Sequence, residues 1–284
     1  MSDYIYQPKG LLESFTEGLE ELRRQGYKVV TDAPGGSLQL LFDSCEKNGL
    51  KIVEYNIDPS DYERYFANAG YAKRYPKYYP SNIKEKSFEH YIAFKLLNLR
   101  REDIVIDVAS ENSPIAEIYH RLSGITCFRQ DIMFPEGIHG DRIGGNACAM
   151  PVPDHFATKI VLTCSLEHFE EDADTRLFEE MCRVLKPGGM VAVVPFYFST
   201  YAFTLTDPTY SAAHNVKFDR ENPVYCRKGW RNRHGRFYSP KSFVERMMDP
   251  LKNKMDFNFY WLKNAKEVDA SVYANFAFTA TLKA

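Results

Sequence analysis

Between residues 85 and 198 the chain alternates helical segments with short apolar segments that carry almost no charge, and this alternation constrains the fold more than any other feature. Apolar spacing predicts helices over 85–97, 114–122 and 174–185. Strands are predicted over 104–108, 125–130, 159–163 and 190–196, with a further strand-like stretch closing near Asn146. Strands that are apolar along their whole length are buried on both faces, as in a parallel sheet. Joined by helices, they form a doubly wound, Rossmann-like α/β sheet. Two more strands, over 257–262 and 273–282, have a short connection and are expected to pair antiparallel. The expected core is therefore a seven-stranded sheet with antiparallel C-terminal strands.

Two segments stand outside this pattern. Residues 1–84 read as a small N-terminal α+β extension, suited to a lid or to an arm of a homodimer. It holds an apolar helical pattern over 11–24 ended by Gly26, a second helix over 37–47, and short strands over 27–31 and 50–55. A tyrosine-dense run over 62–81 contains Pro76 and Pro80 and reads as a linker or lid. The main domain, residues 85–284, is interrupted by an irregular insertion over about 199–240, and loops of that length are usually functional or mobile.

Composition narrows the function. Lys plus Arg number 36 and Asp plus Glu 38, a net charge of −2 that argues against a dedicated duplex-DNA or membrane-surface binder. The longest apolar run has nine residues (190–198), against about 20 for a membrane span. No basic flank followed by an apolar core opens the chain, so no signal peptide is expected. The six cysteines, Cys45, Cys127, Cys148, Cys164, Cys182 and Cys226, form no CxxC pair. They predict free thiols in a reducing cytoplasm, with no zinc site.

The chemistry sits where the strands end. The first runs into Asp107-Val108-Ala109-Ser110-Glu111-Asn112-Ser113-Pro114, a small-residue turn in which Ser113 suits a helix N-cap and Pro114 the first helical position. A helix start there offers free N–H groups to an anion. Asp131 closes the next strand, where an acid can accept hydrogen bonds from a ribose diol. Further on come Asn146-Ala147-Cys148-Ala149-Met150-Pro151-Val152-Pro153-Asp154-His155-Phe156, then Thr163-Cys164-Ser165-Leu166-Glu167-His168, then a helix stop, LKPGG, over 185–189.

This series resembles the class I S-adenosylmethionine-dependent methyltransferases. In that family a first strand ends in an acid and a GxGxG turn, and a second in a ribose-binding acid. A DAxxLPxPDxxFD segment follows, whose Asp binds the adenine amine, and an LKPGG helix stop comes later. The resemblance places Asp107 at the first acid and Ala109, Glu111 and Ser113 at the three glycines, with Ser110 between them. It places Asp131 at the ribose, Asn146 and Ala147 at the adenine, and Cys164, Ser165 and Leu166 at the end of the fourth strand. It implies S-adenosylmethionine as cofactor, with all three glycines replaced.

His168, just past the fourth strand, is the candidate general base for an acceptor hydroxyl, its unperturbed pKa of about 6.5 suiting proton removal near neutrality; the alternative is that it caps the following turn. In the insertion, residues 217–241 hold eight Lys or Arg against two acids, interleaved with Trp230, Phe237 and Tyr238. Arg227, Trp230, Arg231 and Arg233, with Tyr75 and Tyr79 of the tyrosine run, are candidates to bind an anionic small-molecule or glycan acceptor. The alternative pairs these arginines with Glu170, Glu171, Asp172 and Asp174. Two other readings remain: a methyltransferase-like scaffold without cofactor, favoured by the missing glycines, and a nicotinamide enzyme, disfavoured by the absence of GxGxxG.

Overall fold

The computed structural model describes residues 12, 14–214 and 216–284. They fall into two units, one built on a nine-stranded sheet and one on a four-stranded sheet. Leu11, at the start of the first expected helix, lies outside the described residues.

The larger unit comprises residues 51–165, 176–196 and 248–284. Its strands are β1 (Ile52–Tyr55), β2 (Ile104–Val108), β3 (Thr126–Asp131), β4 (Gly137–His139), β5 (Arg142–Gly144), β6 (Ala157–Thr163), β7 (Leu185–Val194), β8 (Met255–Leu262) and β9 (Phe276–Leu282). Their order is β1-β8-β9-β7-β6-β2-β3-β5-β4. The strands β5, β3, β2, β6 and β7 are parallel, and β9 enters antiparallel between β7 and β8. These seven are the expected sheet; β1 and β4 extend its two edges. The buried pattern of β2 follows from its sequence: Val105, Ile106 and Val108 cannot face water on either side.

Three expectations are corrected in this unit. The tyrosine run is not a linker. It is helical over Pro59–Ala69 and Tyr71–Arg74, with Asp58 capping the first helix and Gly70 in a left-handed conformation (φ 69°) at the junction. Tyr62, Tyr65 and Tyr71 are buried at helical spacing, and both prolines lie beyond these helices. Residues 51–84 group with the large sheet rather than with the first 50, because β1 pairs in parallel with β8. The LKPGG segment opens β7 directly after the helix Ala173–Val184.

The second unit gathers the described residues up to Leu50 with residues 166–175 and 197–247. The insertion expected to be irregular supplies three strands, Phe203–Thr206, Val224–Cys226 and Gly235–Phe237. With Val29–Val30 they form the small sheet in the order 29–30, 224–226, 203–206, 235–237. Strands of two to four residues, paired across almost 200 residues of sequence, leave no periodic signal. Leu19, Leu22, Tyr27, Val216 and Phe218 form the core of this unit. A buried ionic network closes it. Asp174, fully buried, accepts from Tyr238 Oη (2.7 Å), meets Arg236 at 3.0 Å and Arg246 at 2.6 Å, and Arg236 reaches Asp219 at 3.1 Å. Burial pushes the Asp174 carboxyl up, but the two guanidinium groups outweigh it and hold it below the usual range.

The edge of the large sheet has no tolerance at Gly144 of β5: a Cβ there would lie 1.8 Å from the Pro135 carbonyl oxygen. Gly144→Ala is expected to cost about 1–3 kcal/mol through overpacking; chemical denaturation checks it, and an unchanged midpoint contradicts this placement of the β4–β5 hairpin.

Candidate active site

The site forms where the parallel strands β2, β3 and β6 end, the position at which open α/β sheets receive ligands. Asp107 is 1% exposed, and its Oδ2 has no hydrogen-bond partner among the described residues. Burial pushes its carboxyl up to about 7, Asp131 adds to the shift, and the Ser113 hydroxyl opposes it. The hydroxyls of Ser110 and Ser165 are likewise buried without a partner among the described residues. Buried polar atoms left without partners are costly, and a polar ligand satisfies them.

The turn after β2 is held by the end of β3. Ala109 N–H donates to the Gln130 side chain (3.3 Å), Ser110 N–H to the Gln130 carbonyl (2.9 Å) and Glu111 N–H to Asp131 Oδ2 (2.8 Å). Gln130 also donates from its side chain to the Gly145 carbonyl (2.7 Å), so one residue joins the two loops. Ala109 and Glu111 both adopt left-handed backbone, with φ of 52° and 48°. The glycine-like shape of the turn therefore persists without glycine, at a strain of order 1 kcal/mol per residue. Ser113 accepts from Ile115 N–H (3.2 Å), and the helix Ile115–Ser123 starts one residue later than its sequence suggests, with Pro114 as the cap.

Asp131 is 7% exposed and also accepts from Met133 N–H (2.9 Å). Two backbone donors leave its carboxylate with lone pairs for a further donor. Asn146 is exposed; its side-chain oxygen accepts from Cys148 N–H (2.9 Å), and Ala147 behind it is buried. The loop that follows is tied by Arg183, which donates to the carbonyls of Met150 (3.0 Å) and Val152 (2.8 Å) and pairs with Asp154.

The turn after β2 and the end of β6 border one recess. Ala109, Ser110, Glu111 and Ser113 line one side; Thr163 and Cys164 line another; Tyr78, Tyr79 and Lys86 complete it. Lys86 escaped the sequence reading, whereas Tyr78 belongs to the tyrosine run and Thr163 to the strand end that it singled out. Lys86 looked like one more charge on a helix, yet it is 8% exposed and its ammonium meets both oxygens of the fully buried Glu89, at 3.1 and 3.2 Å. Cys164 donates its thiol to the same carboxylate (3.1 Å). Tyr78 is fixed by His90, whose ring nitrogens meet the Tyr78 (3.1 Å) and Tyr71 (2.9 Å) hydroxyls; burial holds His90 down to about 3, so it is neutral. Tyr75 lies apart from the lining and donates its hydroxyl to Glu117 (2.9 Å).

The remaining candidates belong to the smaller unit. Leu166 is buried in the short turn Leu166–His168. His168 donates from Nδ1 to the His234 carbonyl (2.5 Å), and His234 donates from Nδ1 to the Glu167 carbonyl (2.8 Å). In a neutral ring the first bond puts the proton on Nδ1 and the lone pair on Nε2, which lies 3.6 Å from the Glu167 carboxylate. Asp207 organises the loop carrying Arg227, Trp230 and Arg231 by accepting from Gly229 N–H (2.9 Å) and Arg231 N–H (3.3 Å). Arg227 and Arg231 are exposed, Trp230 packs over Gly235, and Arg233 is paired with Glu170, as the alternative reading anticipated. Among the described residues no His, Cys, Asp or Glu group is placed to hold a metal, and no helix is long and apolar enough to cross a membrane.

A family model described as a methyltransferase domain matches residues 113–193, starting just past the strained turn. No curated protein matches the chain. Among solved structures, human N-acetylserotonin methyltransferase in complex with SAM aligns at 16% identity over 95% of this chain and 67% of that one, with a TM-score of 0.47. The Haloferax volcanii complex of the Trm112 methyltransferase activator with a putative methyltransferase aligns at 12% identity, over 78% and 94%, with a TM-score of 0.44. A putative methyltransferase from an antibiotic biosynthesis pathway of Anabaena variabilis aligns at 16% identity over 37% of this chain and 43% of that one, with a TM-score of 0.32.

The turn's conformation makes a direct prediction. Alanine to glycine at an ordinary φ lowers stability by about 0.5–1 kcal/mol. At the left-handed Ala109, relief of strain opposes that loss, and Ala109→Gly is expected to leave stability unchanged or raise it by up to about 1 kcal/mol in a denaturant titration. A loss of the ordinary size contradicts the left-handed assignment.

Proposed function

We propose that this chain, a member of the class I S-adenosylmethionine-dependent methyltransferases, methylates a hydroxyl of a small-molecule or glycan acceptor that carries an anionic group. The family rests on the methyltransferase-domain match and on the strand order that accompanies it. The observation that carries the cofactor reading is the turn itself: a glycine-type backbone kept at Ala109 and Glu111, lining a recess together with Ser110, whose buried hydroxyl has no partner among the described residues.

In this reading Asp131 binds the ribose diol with its remaining lone pairs. Ala147 and the backbone beside Asn146 border the adenine, with the Asn146 amide as donor. Ser110, Ser113, Cys164 and Ser165 surround the amino-acid end, and Leu166 follows them along the chain. S-adenosylmethionine supplies an activated methyl group and its own leaving group. The protein's task is to align the acceptor and exclude water.

His168, three residues beyond Ser165 in the chain, takes the acceptor proton at Nε2. Its hydrogen bonding supports the role: Nδ1–H is committed to a carbonyl, which leaves Nε2 to take the proton. Arg227, Arg231 and Trp230 offer exposed cations and a ring to the acceptor, and Tyr79 offers a ring in the recess. Arg233 serves that loop through its pair with Glu170. The hydroxyl preference rests on His168, and the anionic preference on the exposed arginines.

Two variants test this. Asp131→Ala should weaken S-adenosylhomocysteine binding by more than about tenfold, the loss of a charge-assisted hydrogen bond; unchanged affinity in calorimetry removes the ribose role. His168→Ala should keep cofactor affinity and lose methyl transfer to hydroxyl acceptors, by about 100-fold or more; full turnover removes the base role.

A further inference from the structure

Two features of the recess are not required by the backbone of the turn. The first is the side chain of Glu111, whose Oε1 accepts a long bond from the adjacent Asn112 amide (3.4 Å). Its N–H bond to Asp131 needs no side chain, and a glycine would make that bond without the strain that φ of 48° imposes. Strain of this kind persists where the surroundings hold it in place, and it concentrates at functional positions. The second is Lys86. Taking an ammonium out of water costs several kcal/mol, and an apolar residue would fill a buried helical position at no such cost. Glu89, with both oxygens on the ammonium, offsets that cost and fixes the lysine in the wall. The pair is not sealed in the core, because Lys86 lines the same recess as Glu111.

We propose that Glu111 and Lys86 act together as a charge clamp for a zwitterionic α-amino-acid group, the Glu111 carboxylate taking the ammonium and the Lys86 ammonium taking the carboxylate. The inference rests on the cofactor reading above and deepens it: it assigns the amino-acid end of S-adenosylmethionine to a pair of side chains where a glycine turn would offer only backbone. Opposite charges on one recess match a zwitterion. They do not match a pyrophosphate, which Glu111 would repel. Glu89 is a positioning residue in this arrangement, acting through Lys86. Tyr79, whose ring lies 5.4 Å from the Lys86 ammonium, shields that ammonium with an aromatic face.

The test compares two probes in calorimetry with the full chain. S-adenosylhomocysteine and 5′-deoxy-5′-methylthioadenosine share the adenosine and the thioether and differ in the amino-acid end. The wild type should bind the first at least about tenfold more tightly. Glu111→Gln and Lys86→Met should each weaken S-adenosylhomocysteine by about tenfold and leave methylthioadenosine within about twofold. Glu111→Gly is the sharpest variant: it restores the unstrained turn, yet the clamp predicts the same selective loss. Because Lys86→Met leaves Glu89 buried without a counter-ion, the double variant Lys86→Met/Glu89→Leu, which removes both charges, is measured beside it, with thermal melts confirming the fold. The clamp is overturned if Glu111→Gly binds S-adenosylhomocysteine as tightly as the wild type, if both probes weaken together, or if the wild type does not discriminate between them. A wild type that binds neither probe overturns the cofactor reading itself, and the clamp with it.

Discussion

Three consecutive backbone N–H groups, those of Ala109, Ser110 and Glu111, are all donated to the two residues that end the neighbouring strand, Gln130 and Asp131. The rest of the site depends on this arrangement. A chain leaving a buried parallel strand must satisfy its next donors without another ladder partner. The register of β2 against β3, with Val108 opposite Gln130, brings those acceptors within reach. The chain meets them by turning through the left-handed region, which Ala109 and Glu111 do at a cost that glycine would avoid. Parallel pairing thus sets the turn, the turn sets the recess, and the recess brings Ser110, Glu111 and Cys164 to one place.

Buried charge is used differently in the two units. In the smaller one Asp174, Arg236, Arg246 and Asp219 balance among themselves, and Tyr238 satisfies a remaining lone pair. Such a closed network fixes geometry and offers nothing to a ligand. In the larger unit the Lys86–Glu89 pair borders open space, with Cys164 on one side and Tyr79 over the ammonium. Both look alike in sequence, as charges at helical or loop positions. Only the structure separates a network that closes a fold from a pair that faces a recess.

The parallel core was legible in the sequence because its signal is local. Ile104, Val105 and Ile106 are apolar in succession, as are Ile160, Val161 and Leu162, and each run is followed by a helical period. The strand ends at Asp107 and Asp131, and the turn through Ala109 and Glu111 beside them, were legible for the same reason. Non-local pairing was not legible: Val29–Val30 finds its partner in Val224–Cys226, and nothing near either segment marks it. The helix Pro59–Ala69 was hidden by attention to Pro76 and Pro80, although Tyr62, Tyr65 and Ala69 already carried its period. Lys86 and His90 were hidden because a charged residue in a helix is ordinarily solvated.

If the left-handed turn holds the proposed cofactor without glycine, the purified chain binds S-adenosylhomocysteine. Calorimetric titration, with NAD as the control, measures this. Saturable binding at one site per chain is expected for the adenosyl compound, and none for NAD. A saturating ligand at about 100 times its dissociation constant would also raise stability by about 2.7 kcal/mol, visible as a shift in the melting temperature. No heat and no shift with S-adenosylhomocysteine, or binding of NAD in its place, would contradict it.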